Sequence, residues 1–136
     1  MYNDDLASDY VRRAGSRLRA IEVLTAERSW ADVVRESQEV VEITLKALLR
    51  ACRIEVPRVH DVSPVLLDNR ELLPPEINGQ LEELVKISRS LRRDRELAFY
   101  GSEDLTPSEF YKEEDAATAF SQATMLHHAV KKALGG

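Results

Sequence analysis

The sequence is short of cysteine, glycine, proline and aromatic residues, and these shortages favour a helical globular protein. Its 136 residues include one cysteine, five glycines and five prolines, and 6% are aromatic. With 43% hydrophobic and 32% charged residues, the composition is typical of a soluble chain with more helix than sheet. One cysteine cannot form an internal disulfide, but a chain of this length buries a core without disulfides or metals. The apolar residues before Cys52 predict a small buried side chain there, and the alternative is a reactive thiol.

Long apolar runs and an overall basic charge are also missing. No apolar stretch approaches the roughly 20 residues of a membrane span. The first residues, M-Y-N-D-D, are acidic where a signal peptide is basic. We therefore expect a cytoplasmic protein with no membrane partner. The formal net charge of −5 argues against broad coating of nucleic acid, which needs a generally basic surface, but it allows a small basic pocket.

Apolar residues recur every three or four positions over four long segments, which predicts four long helices. The first of these helices should begin near Asn3 to Asp5 and run to about Arg28. We place the others at about 30–52, 75–101 and 113–134, with a short helix near 63–67 and a helical turn begun by Thr106 and Pro107. Ser29 and Ser63 are the predicted N-caps of the second long helix and the short one, and Pro75 is predicted to open the third long helix. The expected fold is all-α, an up-and-down four-helix bundle with an additional short helix, in which residues 1–136 form a single domain.

The first two helices have distinct predicted faces. In the first, Gly15 costs about 1 kcal/mol against alanine and could mark a close helix contact. The second should be the most buried helix, and its wide apolar surface suggests a subunit interface as well. The apolar side of the first helix is predicted to be Leu6, Tyr10, Ala14, Leu18, Ile21 and Leu24. That of the second is Val33, Val34, Ser37, Val40, Val41, Thr44, Ala47, Leu48 and Cys52.

One stretch of the third long helix is basic, although the chain as a whole is acidic. The basic residues there are Lys86, Arg89, Arg92, Arg93 and Arg95. Because the planar guanidinium binds phosphate in bidentate fashion, the stretch predicts a site for a phosphate-bearing ligand or partner. The alternative is structural, with the arginines paired to Asp94, Glu96 and the acidic segment 101–115. Spacing places Arg95 on the apolar stripe, facing a core or interface, and Arg93 and Tyr100 on an adjacent face.

The acidic and histidine residues do not form a pattern typical of a metal or catalytic site. Six carboxylates lie between 101 and 115 without the spacing of a calcium loop, so we interpret several of them as favourable charges at helix N-termini and expect neither a metal nor a cofactor. His127 lies on the apolar stripe of the last helix and is interpreted as a core residue. His128 is expected to face solvent, and His60 lies just before the short helix.

Two motifs resemble those of a known family. The run S-Q-E-V-V-E-I-T-L-K-A-L-L at 37–49, with Pro57, His60 and Leu66-Leu67 after it, resembles the second-helix signature of the HEPN domain (higher eukaryotes and prokaryotes nucleotide-binding). The run Y-K-E-E-D-A at 111–116 is similar to the entry to that family's last long helix. The resemblance covers nearly the whole chain. It implies a helical bundle that usually forms a homodimer. Its cleft is lined by both copies of the fourth helix, which is the basic helix at 75–101 when the short helix is counted.

The resemblance also implies a catalytic motif from which this chain departs. Many members are ribonucleases, or toxins paired with a small nucleotidyltransferase antitoxin, and carry an R-x4-6-H motif that one branch extends to R-x4-H-x-Y. Here Arg93 and Tyr100 match, but Ala98 stands where the histidine should be. Metal-independent RNA cleavage needs a group that exchanges protons near neutral pH, which imidazole does and alanine cannot.

Two hypotheses follow from the resemblance and the departure. The first is a non-catalytic HEPN-like homodimer. It uses Arg89, Arg92, Arg93, Arg95 and Tyr100 to bind a nucleotide or RNA phosphate, or to dock a minimal nucleotidyltransferase. The second is a ribonuclease toxin with a divergent active site, in which Arg93 and Tyr100 are the catalytic candidates and a displaced His60 could handle protons. We favour the first, and therefore expect that the chain is not an enzyme.

Overall fold

The computed structural model describes residues 5–59, 61–100 and 106–135, and only the backbone of 92–100. The described part is helical and contains no strand, so the all-α prediction is confirmed. The helices are α1 (Asp5–Ala26), α2 (Trp30–Ala51), α3 (Ser63–Asp68), α4 (Pro75–Asn78), α5 (Leu81–Tyr100), α6 (Pro107–Phe110) and α7 (Glu113–Ala133), with a 3₁₀ turn at Arg70–Leu72.

Helix α2 is the centre of the bundle, because it packs against α1, α5 and α7. Its predicted stripe is buried apart from the half-buried Cys52, and Leu45 and Leu49 join it in the core. The interface that we inferred from this wide apolar surface is not needed, since the other helices of the same chain cover it. Burial of side chains such as Leu48, at about 1.5–3 kcal/mol each, is the main force that holds the helices together.

Most of the predicted face of α1 is confirmed, and its first two turns differ. Ala14 and Ile21 are buried as predicted, and Leu18 and Leu24 pack against the core. In the first turns Ala7 and Val11 are buried, whereas Leu6 is 40% exposed. A stripe chosen by side-chain size overlooks a small residue such as Ala7. Arg17 then links α1 to α2 through an ion pair with Glu36 at 3.0 Å.

Two predicted helix starts were wrong, and a third lacks its expected cap bond. Helix α2 begins at Trp30 after Ser29 as predicted, but the Ser29 hydroxyl donates to the Asp32 carboxylate at 2.6 Å and caps no backbone N–H. Ser63 lies inside α3, and the Asp61 carboxylate accepts its backbone N–H at 3.0 Å. Pro75 opens α4 and not α5, since the backbone turns at Gly79, the residue type that favours helix least after proline.

The predicted turn before the last helix is confirmed. Thr106 caps α6 by accepting the Glu109 N–H, and the Glu109 carboxylate accepts the Thr106 N–H in return. At the start of α7 the Asp115 carboxylate accepts the Lys112 N–H at 2.8 Å. Two of the acidic residues of 101–115 therefore stabilise helix ends, as we expected. No helix in the described ranges is long and apolar enough to span a membrane.

Candidate functional site

Helix α5 places the first part of the basic stretch on the protein surface. Leu84, Ser88 and Leu91, which belong to the predicted inner stripe, are buried, and so are Leu81, Val85 and Ile87. Lys86 and Arg89, one turn apart, are exposed. The register predicted from spacing is therefore confirmed as far as Leu91.

Lys86 and Arg89 line a shallow groove between α5 and α3. The groove has a volume of about 640 Å³, and its lining residues are Leu67, Glu82, Val85, Lys86, Arg89 and Ser90. Two cations and one carboxylate thus share a small, partly apolar surface. Its net charge is opposite to that of the chain as a whole.

The one carboxylate of this groove forms an ion pair with a residue outside it. Arg70 and Glu82 lie 3.1 Å apart, but their side chains are 42% and 71% exposed, so the pair offsets the charge of Glu82 only in part. A backbone hydrogen bond and then the Arg70 guanidinium lower the pKa of Glu82, so this side chain stays ionised in its pair. Lys86 and Arg89 form no ion pair with any side chain that the structure describes, a set that leaves out the side chains of 92–100. Exposed cations of this kind can bind an anionic ligand.

Arg70 has a structural role beside the groove, which sequence reasoning did not predict. Its Nε and Nη2 donate to Asn78 Oδ1 at 3.1 and 3.0 Å, and Asn78 Nδ2 donates back to the Arg70 carbonyl at 3.0 Å. These bonds join the 3₁₀ turn to α4. Spacing gave no signal for them, since residues 70 and 78 belong to different elements.

Four of the five predicted site residues have side chains outside the described part of the structure. The backbone of α5 is helical through Tyr100, so Arg92, Arg93, Arg95 and Tyr100 all belong to it, as predicted. Arg89 is the member whose side chain is described. The predicted faces of Arg93, Arg95 and Tyr100 stay predictions, as does their pairing with the acidic segment 101–115.

A second, smaller cavity adjoins α5 at Ser90 and Leu91. It has a volume of about 210 Å³, and its lining includes Phe110 and Tyr111, whose ring centres lie 4.9 Å apart in an edge-to-face arrangement. Tyr111 is 3% exposed. The first residue of the family-like Y-K-E-E-D-A run therefore belongs to the core beside α5.

The histidines that the structure describes lie away from the groove. His127 is buried, and its Nε2 lies 2.9 Å from the Val11 carbonyl, to which an Nε2–H donates. This confirms His127 as a core residue with a satisfied hydrogen bond. His128 is exposed, as expected, and His60 falls outside the described residues. Within the described ranges no group of three or more His, Cys, Asp or Glu residues could hold a metal ion.

Comparison with known proteins gives one family match. The family model of the HEPN domain matches residues 7–133, which is nearly the whole chain. No curated protein and no solved structure is significantly similar to the chain.

Proposed function

This chain belongs to the HEPN domain family, and we propose that it is a non-catalytic member that binds the phosphate of a nucleotide or RNA through α5. The family has roles connected with nucleotides and RNA, and many members are ribonucleases. The observation that carries the proposal is the position of Arg89, which is exposed beside Lys86 in a groove whose only carboxylate is paired with Arg70.

The rest of α5 supports the same conclusion. Positions 89, 92 and 93 are spaced by three and four residues, so an unbroken helix brings them to one side. Three arginines on one side of a helix suit a backbone phosphate, because each guanidinium presents a planar pair of donors. Ala98 supplies no proton donor or acceptor at the position where the family pattern has histidine, so binding without cleavage is the expected outcome.

We further propose that the protein acts as a homodimer in the cytoplasm. This proposal rests on the family resemblance, in which two copies of this helix line one cleft. Such a cleft would double the number of arginines available to one nucleic acid strand. The same surface could instead dock a minimal nucleotidyltransferase partner, whose acidic residues would take the place of the phosphate.

Binding of RNA to matched charge variants tests the proposal. A fluorescent 5′-phosphorylated RNA oligonucleotide is titrated with protein at several salt concentrations. Arg89→Glu should weaken binding about tenfold at low salt and reduce the slope of log K against log salt by about 1, because one phosphate contact is lost. Arg58→Glu makes the same charge change at an exposed loop position and should leave both quantities unchanged. Equal effects of the two variants would refute the proposed site.

The second candidate function is a ribonuclease with a divergent site, and Arg93 and Tyr100 favour it because both match the family motif. The unmodified protein is incubated with a mixed RNA pool in a metal chelator. Cleavage that disappears in Arg93→Ala and Tyr100→Phe would establish this candidate in place of ours. We expect no cleavage, and we expect Ala98→His, which restores the motif, to introduce it.

A further inference from the structure

A second groove lies on the other side of the bundle, between α1 and α7. Its volume is about 500 Å³. Most of its floor is apolar or small, and its polar residues lie toward the rim. The lining residues are Ala7, Ser8, Val11, Arg12, Gly15, Leu18, Arg19, Glu22, Phe120, Thr124, His127, Lys131 and Leu134. Neither the family motifs nor α5 contribute to it.

The groove stays open at mid-length because the residue there has no side chain. A Cβ atom at Gly15 would lie 3.5 Å from His127 Cε1, in van der Waals contact. His127 itself is held in place by its hydrogen bond to the Val11 carbonyl. The ring is 8% exposed, and no partner of its Nδ1 occurs among the described hydrogen bonds. The middle of the groove is therefore a fixed, mostly apolar surface with one polar atom.

The rim of the groove is cationic in an acidic protein. Three cations, Arg12, Arg19 and Lys131, line it against one carboxylate, Glu22. Arg19 and Lys131 form no ion pair within the described ranges. Arg12 pairs with Asp9 at 2.9 Å, but the two side chains are 70% and 42% exposed, and such a pair is worth little. The charge of the rim is thus complementary to an anion.

The cations are unevenly placed along the groove. Leu134 packs against the cluster that contains Ala7 and Val11, so the C-terminal end of α7 lies beside the first turns of α1. Arg12 and Lys131 therefore belong to one end of the groove, together with the Ser8 hydroxyl. Arg19 and Glu22 line the other end of the groove. An anionic head group is best placed between Arg12 and Lys131.

The groove has the size and length of a small-ligand site. From Phe120 to Leu134 it follows α7 for roughly 21 Å, at ~1.5 Å per residue. Its volume of about 500 Å³ lies within the roughly 300–1,000 Å³ of pockets that bind small molecules. An extended hydrocarbon chain fits along a groove of this length.

We propose that the α1–α7 groove binds an amphipathic anion that consists of an unbranched alkyl chain and a carboxylate head. The chain lies along Val11, Gly15, Leu18 and Phe120, and the carboxylate pairs with Lys131 and Arg12. The ligand class follows from three properties together, namely an apolar floor, an elongated shape and two cations at one end, of which Arg12 is held only by an exposed pair with Asp9.

Calorimetric titration with octanoate, decanoate and dodecanoate, each below its micelle concentration, tests the ligand class. Each added CH₂ group should tighten binding roughly threefold to fourfold, because each one buries further apolar surface. The methyl ester of decanoate lacks the charge and should bind about tenfold more weakly than the acid. Failure of all three acids to bind, or equal binding of acid and ester, would overturn the proposal.

Neighbouring residues provide matched controls for the position of the carboxylate. Lys131→Glu and Lys132→Glu make the same change in the same turn of α7, but only Lys131 lines the groove. Arg12→Glu and Arg13→Glu form an equivalent pair on α1. We expect Lys131→Glu and Arg12→Glu to weaken decanoate binding about tenfold and the two controls to leave it unchanged. Equal effects within each pair would place the ligand elsewhere.

Blocking the groove tests the position of the alkyl chain. Thr124→Trp fills the groove from an exposed position of α7, and Gly15→Leu fills it from α1. Either variant that keeps its helical circular dichroism should lose decanoate binding. Sedimentation of the same variants identifies the competing occupant. The proposal would be overturned if these variants changed the oligomeric state and the unmodified protein bound no decanoate. That result would show that the groove holds a second copy of the chain.

Discussion

At the scale of single residues, Gly15 has a low helix propensity but lies where α1 passes close to α7. Its low helix propensity is visible in the sequence, and its contact with His127 confirms the close approach that we expected there. The 3.5 Å separation is ordinary van der Waals distance, so the position accepts a methyl group. The helices therefore approach closely at Gly15 without requiring glycine there.

We therefore predict that Gly15→Ala raises the free energy of unfolding by about 0.5–1 kcal/mol, through reduced freedom of the unfolded chain and better helix propensity. Urea unfolding followed by circular dichroism measures the change. Gly135→Ala is the matched control, because its φ of +87° is unfavourable for alanine, and it should leave stability unchanged or lower it. A loss of stability in Gly15→Ala would show that the contact with His127 is tighter than described.

Cys52 is a second residue whose chemistry depends on its surroundings. The sequence predicts a small buried side chain, and the structure places it half-buried against the main core, at the end of α2. Burial raises the pKa of its thiol from 9.0 to about 11. The thiolate is the reactive form, so this position is protected from modification at neutral pH.

We predict that Cys52 reacts with Ellman's reagent about 100-fold more slowly at pH 8 than a cysteine of pKa 9.0, since only about one thiol in a thousand is ionised. The folded pKa lies above the unfolded value. Its contribution to stability is therefore fully present below pH 9 and is lost as the pH rises toward 11. Rates measured from pH 7 to 10, with the urea-unfolded protein as control, check this. Equal folded and unfolded rates at pH 8 would contradict it.

At the scale of elements, the ends of the helices were harder to predict than their existence. The spacing of apolar residues placed α1, α2 and α7 within a few residues of their observed bounds. The caps of α2 and α3 differ from the predicted ones because a serine hydroxyl has several hydrogen-bond partners within reach. Ser29 bonds to the Asp32 side chain, and Asp61 replaces Ser63 as the acceptor. Spacing in the sequence does not distinguish between such partners.

The first turn of α7 allows one cap to be tested against a matched neighbour. Asp115 accepts the Lys112 backbone N–H, whereas no such bond is described for Glu114, which is also acidic and exposed in the same turn. Asp115→Ala should lower the free energy of unfolding by about 1 kcal/mol, because a backbone donor loses its partner. Glu114→Ala removes the same charge and should cost less than about 0.5 kcal/mol. Thermal unfolding of both variants gives the comparison, and equal losses would mean that charge alone matters.

At the scale of the whole molecule, one core cluster joins α1, α2, α5 and α7 through residues such as Ile21, Leu48, Leu84 and Leu126. Because α2 contributes to every major contact, loss of any one long helix exposes part of it. This arrangement predicts that the chain unfolds as a single domain. It also explains why α2 needs no second subunit to cover it.

We predict a single cooperative transition in urea, with the same midpoint for helical circular dichroism and for the fluorescence of Trp30. Trp30 is the only tryptophan and lies half-buried at the junction of α1 and α2, with the Arg28 guanidinium 5.4 Å from its ring centre. Fluorescence therefore reports on one end of the bundle and circular dichroism on all of it. A Trp30 transition at lower urea would show that α1 and the start of α2 separate first.

The sequence by itself determined the helical class, the family and the missing histidine at position 98. These properties depend on residues that are close in the chain, and apolar periodicity and short motifs record them directly.

The tertiary structure decided which cations form ion pairs or hydrogen bonds and which are exposed without them. Arg70 is bound by Asn78 and Glu82, whereas Arg89 is exposed without an ion pair in the described ranges. The α1–α7 groove also depends on the tertiary structure, because its central contact joins Val11 to His127, 116 positions apart. Such contacts depend on how helices pack together, and no local pattern specifies that.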